Sequence, residues 1–245
     1  RKHIYQLANA GIDFIFFDVT NGIIYPEILT VILKVWIEVR NEGYKTPEIM
    51  FNAGDSVDNA AKSFVGLYEQ FFTNEQYKDL WLEWENKPLF LGPKGLVDAL
   101  PQEIKEQFTF RKCWANTNDA WYSDTDGKGA WAWADMYPQK PGKSNEGDIE
   151  QMIVMCGFWV NGSYGTNAGR SYHNGKQPPN KKERDYGFSL VDDTSPHGYA
   201  FQEQFDLAKE IDPPIVMITG WNEWWAGRWD NYLPGGVNPA RGQTI

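Results

Sequence analysis

The stretch DFIFFDVTNGIIYPEILTVILKVWIEVRNEGYKTPEIMFNAGD, residues 13–55, decides the reading of the fold. It opens on an apolar run, Phe14 to Phe17, closed by Asp18-Val19-Thr20-Asn21-Gly22. A run without alternation is the pattern of a strand buried on both faces. Pro26 then opens a helix over 27–41. Its apolar residues Ile28, Val31, Ile32, Val35, Trp36 and Val39 recur at helical spacing and predict the inward face, with Gly43 just past the end. A second strand follows over 46–55. Strand, helix and strand in this order make a parallel βαβ unit.

The alternation continues outward. A helix over 2–10 precedes the first strand, and a helix over 56–72 follows the second, with Ser56 as its N-cap. Beyond it the patterns predict a helix over 74–87, a strand over 88–92, a short helix over 101–107 and strands over 108–117 and 129–139. A helical turn runs into a strand over 148–160, 186–194 is indistinct, 198–212 is helical, and Ile215 begins a last strand. No GxGxxG occurs, and GTNAGRS (165–171) lacks the spacing of a phosphate loop. Six to eight strands alternating with helices predict a (β/α)8, TIM-type barrel formed as a single domain over 1–245 and incomplete at one or both ends. A first residue of Arg1 and a final NPARGQTI predict an internal piece of a longer chain.

The net charge of −10, from 23 basic and 33 acidic residues, argues against nucleic acid as a partner, and no apolar stretch approaches the length of a membrane insertion. A neutral, hydroxyl-rich ligand meets no such repulsion. Cys113 and Cys156 lie in apolar runs with no CxxC and no histidine spacing, which predicts two buried thiols and no metal site. SDTDGKG (123–129) lacks the spaced ligands of a calcium loop, and no GxSxG is present. Aromatic content is high, with 12 Trp, 12 Tyr and 14 Phe. About half of these belong to the core, whereas indoles beside Asp, Asn or Glu at strand ends suit the faces and hydroxyls of sugar rings.

Function in a barrel gathers at the C-terminal strand ends. There the sequence places Asp18 and Asn21, then Asn52, Trp114 with Asn116, Trp133 with Asp135, Trp159 with Asn161, and Trp221 with Asn222 and Glu223. Four of these six ends pair an indole with a carboxylate or amide. The loop 161–187, carrying Arg170, His173 and Lys176, is long and polar enough to act as a lid.

TGWNEWWAGRW (219–229), the W-x-W-x-D-x-YPQ of 131–139 and GRSYHNGKQP (169–178) resemble glycoside hydrolase families 71 and 99, over about residues 11 to 230. The resemblance implies a (β/α)8 enzyme acting on α-glucans or α-mannosides. It places an acidic catalytic residue at Glu223 within Asn222-Glu223-Trp224, with Asp135 as the second carboxyl. The Glu-Pro-Tyr segment of the endomannosidases has no counterpart here.

Glycoside cleavage needs one protonated and one ionised carboxyl. Indoles around Glu223 favour its protonated form, whereas Asp135 lies among polar groups. An ion pair with Arg228 or Arg170 is the structural alternative for Glu223, a helix or turn cap for Asp135, and an Asx-turn for Asp18. The expected function is therefore a glycosidase with Glu223 and Asp135 as catalytic pair. Trp114, Trp133, Tyr137, Trp221 and Trp224 would stack on sugar, and Asp18, Asn21, Arg170, His173 and Asn222 would bind hydroxyls. No cofactor is required, and an extracellular or periplasmic location follows from the activity. The rivals are a non-catalytic glycan-binding barrel of a polysaccharide-utilisation system and a domain associated with glycosyl transfer.

Overall fold

In the computed structural model, which describes residues 1–115, 125–135, 137–155 and 199–221 with the backbone alone at 114–115 and 199–200, the opening βαβ pattern is realised. Helix α1 (Lys2–Asn9) leads into β1 (Phe14–Asp18), α2 (Pro26–Asn41) follows, and β2 (Glu48–Asn52) pairs parallel with β1. The register runs from Phe14 opposite Glu48 to Asp18 opposite Asn52.

The chain divides into two compact units, Arg1–Cys113 and Trp114–Ile245. In the first, α3 (Val57–Leu67) starts at the predicted cap, the Ser56 hydroxyl accepting the Asn59 N–H at 3.4 Å. It continues through a π turn (Tyr68–Phe72) into a 3-10 turn (Glu75–Leu80). The predicted helix over 74–87 stops there. Glu85 and Asn86 take positive φ of 54° and 62°, which closes a two-residue hairpin between β3 (Glu83–Trp84) and β4 (Lys87–Leu91). Two short helices, α4 (Lys94–Ala99) and α5 (Gln102–Lys105), lead to β5 (Thr109–Ala115), which pairs parallel with β4, as β4 does with β2.

The helix-side face of this sheet is aromatic. Phe64 meets Phe90 and Phe108 edge-on at 5.0 and 5.2 Å, and Phe72 meets Phe108 at 4.9 Å. On α2 the buried residues are Leu29, Leu33, Trp36 and Val39, whereas Ile28 and Val31 are 59% and 61% exposed. The predicted inward face is thus rotated. The helix is apolar almost all round, so periodicity alone does not set its phase. The left-handed Tyr25 before Pro26 and the Trp36 indole N–H donating to the Pro47 carbonyl at 2.7 Å hold the observed one. Arg111 of β5, only 1% exposed, pairs with Glu85 of the hairpin at 2.6 Å.

In the second unit β6 (Ala130–Ala134), β7 (Gly142–Lys143) and β8 (Ile149–Met155) follow one another with no helix between them, and β7 is antiparallel to both neighbours. The predicted helical turn at the start of 148–160 is therefore strand. Helix α6 (Tyr199–Ile211) packs Phe201, Phe205 and Ala208 against Met152, Val154, Val216 and Ile218, and β9 (Ile215–Thr219) pairs parallel with β8. This corrects the expected (β/α)8 barrel. That fold requires a helix after every strand and parallel pairing throughout, and both the β6–β7–β8 meander and the β3–β4 hairpin break the rule. The result is a mixed α/β fold. No helix among the described residues is long and apolar enough to cross a membrane.

Because β7 is two residues long, it covers only part of β6 and β8. The Gln151 side-chain amide fills the remainder, accepting the Ala132 N–H at 3.1 Å and donating to the Ala132 carbonyl at 3.0 Å. Gly142 makes room for it: a Cβ there would stand 2.8 Å from both the Ala130 carbonyl oxygen and Gln151 Oε1. Gly142→Ala should lower unfolding stability by about 1–3 kcal/mol, since one of the clashing atoms is backbone. Gln151→Leu should cost a similar amount, about 1–3 kcal/mol, by leaving two buried backbone groups without their partner. Urea denaturation of the two variants checks both.

Candidate functional site

The C-terminal strand ends carry the polar groups that the sequence singles out. In the first unit, Asp18 and Asn52 end β1 and β2 as a register pair. Asp18 is exposed, and its Oδ1 accepts the Thr20 N–H at 2.8 Å, the geometry of an Asx-turn. The turn is pinned from below. The Val19 N–H donates to the Asn52 carbonyl at 2.9 Å, the Ser63 hydroxyl to the Val19 carbonyl at 2.8 Å, and the Asn59 amide to the Thr20 carbonyl at 3.1 Å. Asn21, in the same turn, is exposed.

Asn52 is buried, and its Oδ1 accepts the Gly54 N–H at 2.9 Å. Gly54 sits at φ +69°, with Thr20 Cγ2 only 3.0 Å from where a Cβ would be. Cys113 of β5 lies beneath this edge. Burial pushes its thiol well above the ordinary range and the Asp55 charge adds to the effect, while hydrogen bonds from the Asn52 side chain and the Gly54 backbone pull the other way. Cys113 is a buried free thiol, as its apolar run predicts; Cys156 lies outside the described residues.

In the second unit Asp135 follows β6 and is 2% exposed. Its Oδ2 accepts the Lys140 N–H at 2.9 Å, and its own N–H points to the Met155 sulfur at 3.1 Å. The carboxylate thereby braces the turn that contains the cis Tyr137–Pro138 bond. Gln139, next along, donates to the Ile153 carbonyl at 3.1 Å and the Gln204 carbonyl at 2.7 Å. Gln204 of α6 accepts the Met155 N–H at 3.0 Å and donates to the Met155 carbonyl at 3.3 Å. These glutamines set the end of β8, and sequence reading passed over them because an isolated amide carries no periodic or motif signal.

Trp133 and Tyr137 are half-buried, and Trp221, just past β9, is 57% exposed. Trp114 belongs to β5 by its backbone, its side chain lying outside the described residues. Glu223, Asn222, Trp224, Arg170 and His173 also lie outside them. Of the expected site, the structure thus brings Asp18 and Asn21 onto one turn and Asp135 and Tyr137 onto another.

Searches against protein-family models, curated proteins and solved structures return no match to the chain.

The buried thiol sets a pH dependence. In the unfolded chain the Cys113 thiol ionises near its ordinary value of 9.0, whereas in the folded protein it stays protonated to higher pH. Its stabilising contribution is complete below that value and is lost as pH rises through the folded pKa. In a Cys156→Ser background, thiol labelling at pH 8 should be slow until urea unfolds the protein. Cys113→Ala should flatten the loss of stability above pH 9.0.

Proposed function

We propose that the chain binds a saccharide and hydrolyses a glycosidic bond, in the manner of the glycoside hydrolases of families 71 and 99 that its motifs resemble. The observation that carries this reading is Trp221, a large indole 57% exposed immediately after β9, a strand whose Met217 is fully buried. An indole exposed at a strand end offers a flat apolar face, and a sugar ring presents a matching one. The next residues in sequence are Asn222 and Glu223, an amide and a carboxyl suited to hydroxyls and to proton transfer.

In this reading Glu223 is the general acid. Its carboxyl proton passes to the glycosidic oxygen as the bond to the anomeric carbon breaks, and the leaving sugar departs as an alcohol. Asp135 is the second carboxyl. It either takes a proton from the attacking water or bonds to the anomeric carbon first, according to whether the carboxyls stand about 6.5–9.5 Å or about 5–5.5 Å apart. Trp133, Tyr137 and Trp224 extend the stacking surface, and Arg170, His173 and Asn222 bind hydroxyls. Asp18 and Asn21 offer exposed polar groups for the same class of ligand.

The depth of Asp135 favours a second reading, a glycan-binding protein without catalysis. A carboxylate 2% exposed, with one oxygen accepting the Lys140 N–H, has a bracing role whether or not it meets substrate.

A glycan panel with reducing-end detection separates the two. On the hydrolytic reading Glu223→Gln lowers the rate by about a thousandfold, within the range for losing a general acid, with thermal stability unchanged. Asp135→Asn lowers it comparably. If Asp135→Asn keeps the rate and only the melting temperature falls, Asp135 is a brace. If saccharide binds and no new reducing ends form, the binding reading replaces the hydrolytic one. Trp221→Ala should weaken saccharide binding by about three- to tenfold, the loss expected of one aromatic contact.

A further inference from the structure

At the edge of the first unit opposite Asp18 and Asn52, the N-terminal ends of β1 and β2 border an open cleft of about 550 Å3. The size lies within the range of small-molecule sites, about 300–1,000 Å3. Two acids, Asp13 and Glu48, and two bases, Arg40 and Lys45, line it together with the Tyr44 ring. Their formal charges cancel, so neither an anion nor a cation is favoured, while donors and acceptors stand side by side. The Glu48 N–H donates to the Asp13 carbonyl at 2.8 Å, which ties the two walls at the strand starts.

The lining is held before any ligand arrives. Arg40 Nε donates to the Thr46 hydroxyl at 2.7 Å and Nη1 to the Asp79 carbonyl. Burial pushes the Glu48 carboxyl up, and the Arg40 charge beside it pulls it down. Asp13 and Lys45 form an exposed pair at 3.4 Å that is free to exchange one hydrogen-bond partner for another. Tyr44 is 45% exposed and stands edge-on to Tyr5 at 4.8 Å. The Tyr5 hydroxyl donates to Glu42, which in turn accepts from Arg1 at 2.5 Å. A part-exposed aromatic side chain beside mixed donors and acceptors is the chemistry that recognises a neutral sugar ring, whose axial hydrogens stack while its hydroxyls both give and take hydrogen bonds.

We propose that this cleft is a saccharide-binding site for one or two neutral sugar residues, with Tyr44 as the stacking face and Asp13, Arg40, Lys45 and Glu48 as hydroxyl partners. It lies at the opposite strand ends of the first unit from Asp18 and Asn52 and does not depend on hydrolysis.

Affinity electrophoresis tests it in gels containing a soluble α-glucan, β-glucan, α-mannan, β-mannan or arabinoxylan. The starting protein is the full chain carrying Trp221→Ala, so that retardation does not arise from that indole. It should be retarded in at least one gel. Adding Tyr44→Ala should weaken the apparent affinity at least fivefold, and Tyr44→Phe should retain it. Asp13→Ala, at an exposed position that leaves folding intact, should also weaken it. Melting temperatures of all variants confirm that they are folded. If the Trp221→Ala protein is not retarded in any gel, or if Tyr44→Ala and Asp13→Ala migrate with it throughout, the proposal is overturned. Absence of hydrolysis, or an inert Glu223→Gln, would sink the catalytic reading and leave these gels unchanged.

Discussion

Two parallel strands with an incomplete strand between them must satisfy their backbone groups in some other way, and between β6 and β8 side chains do so. The Gln151 amide bonds both the N–H and the carbonyl of Ala132, standing where a peptide of a longer β7 would stand. Further along, Gln139 meets the Ile153 carbonyl, and Gln204 meets both backbone groups of Met155. All three amides are buried. Gln151 and Gln204 pair through both oxygen and nitrogen and so demand one register of the strands around them, whereas Gln139 pairs through its nitrogen and its Oε1 has no hydrogen-bond partner among the described residues. The placement of Asp135 and of the turn through Tyr137 follows from that demand.

The first unit is organised on a different principle. Its parallel strands carry Phe51, Phe90 and Phe110, and these rings, with Phe108 just before β5, meet Phe64, Phe72 and Trp81 edge-on or tilted. Much of the aromatic wealth of the sequence is therefore core. Among the described residues, the partly exposed rings of Tyr25, Tyr44 and Trp221 each sit at the end of an element or in the turn beside one. Rigid apolar packing on one side of the sheet leaves its two edges free to carry polar groups, at Asp18 and Asn52 on one and at Asp13 and Glu48 on the other.

Elements with a strong local signal were legible in the sequence. The apolar run of β1, the Pro26 start of α2, the Ser56 cap of α3 and the helix expected over 198–212 all appear within a residue or two of their expected places. What was misread lacked such a signal. The helix α2 is too uniformly apolar to reveal its phase. The hairpin at Glu85-Asn86 lacks the glycine that usually marks such a turn, so 74–87 read as one helix. The barrel was inferred from alternation, and the helix-free passage from β6 to β8 was hidden because a two-residue strand has no period to detect. At the site, position at a strand end identified Asp135 but could not tell a solvent-facing carboxylate from one turned inward onto Lys140.

The contact between Arg111 and Glu85 couples the hairpin tip to a strand 26 residues further along the chain. A guanidinium in the interior needs its counter-ion close by, and here the counter-ion is mounted on a loop only two residues long. Such a loop is not free to drift in length: an insertion at the tip would carry the carboxylate away from the cation it neutralises. Grafting a peptide tag or a fused domain at this hairpin would therefore disturb an ion pair of the interior, a restriction that exposed hairpins seldom impose.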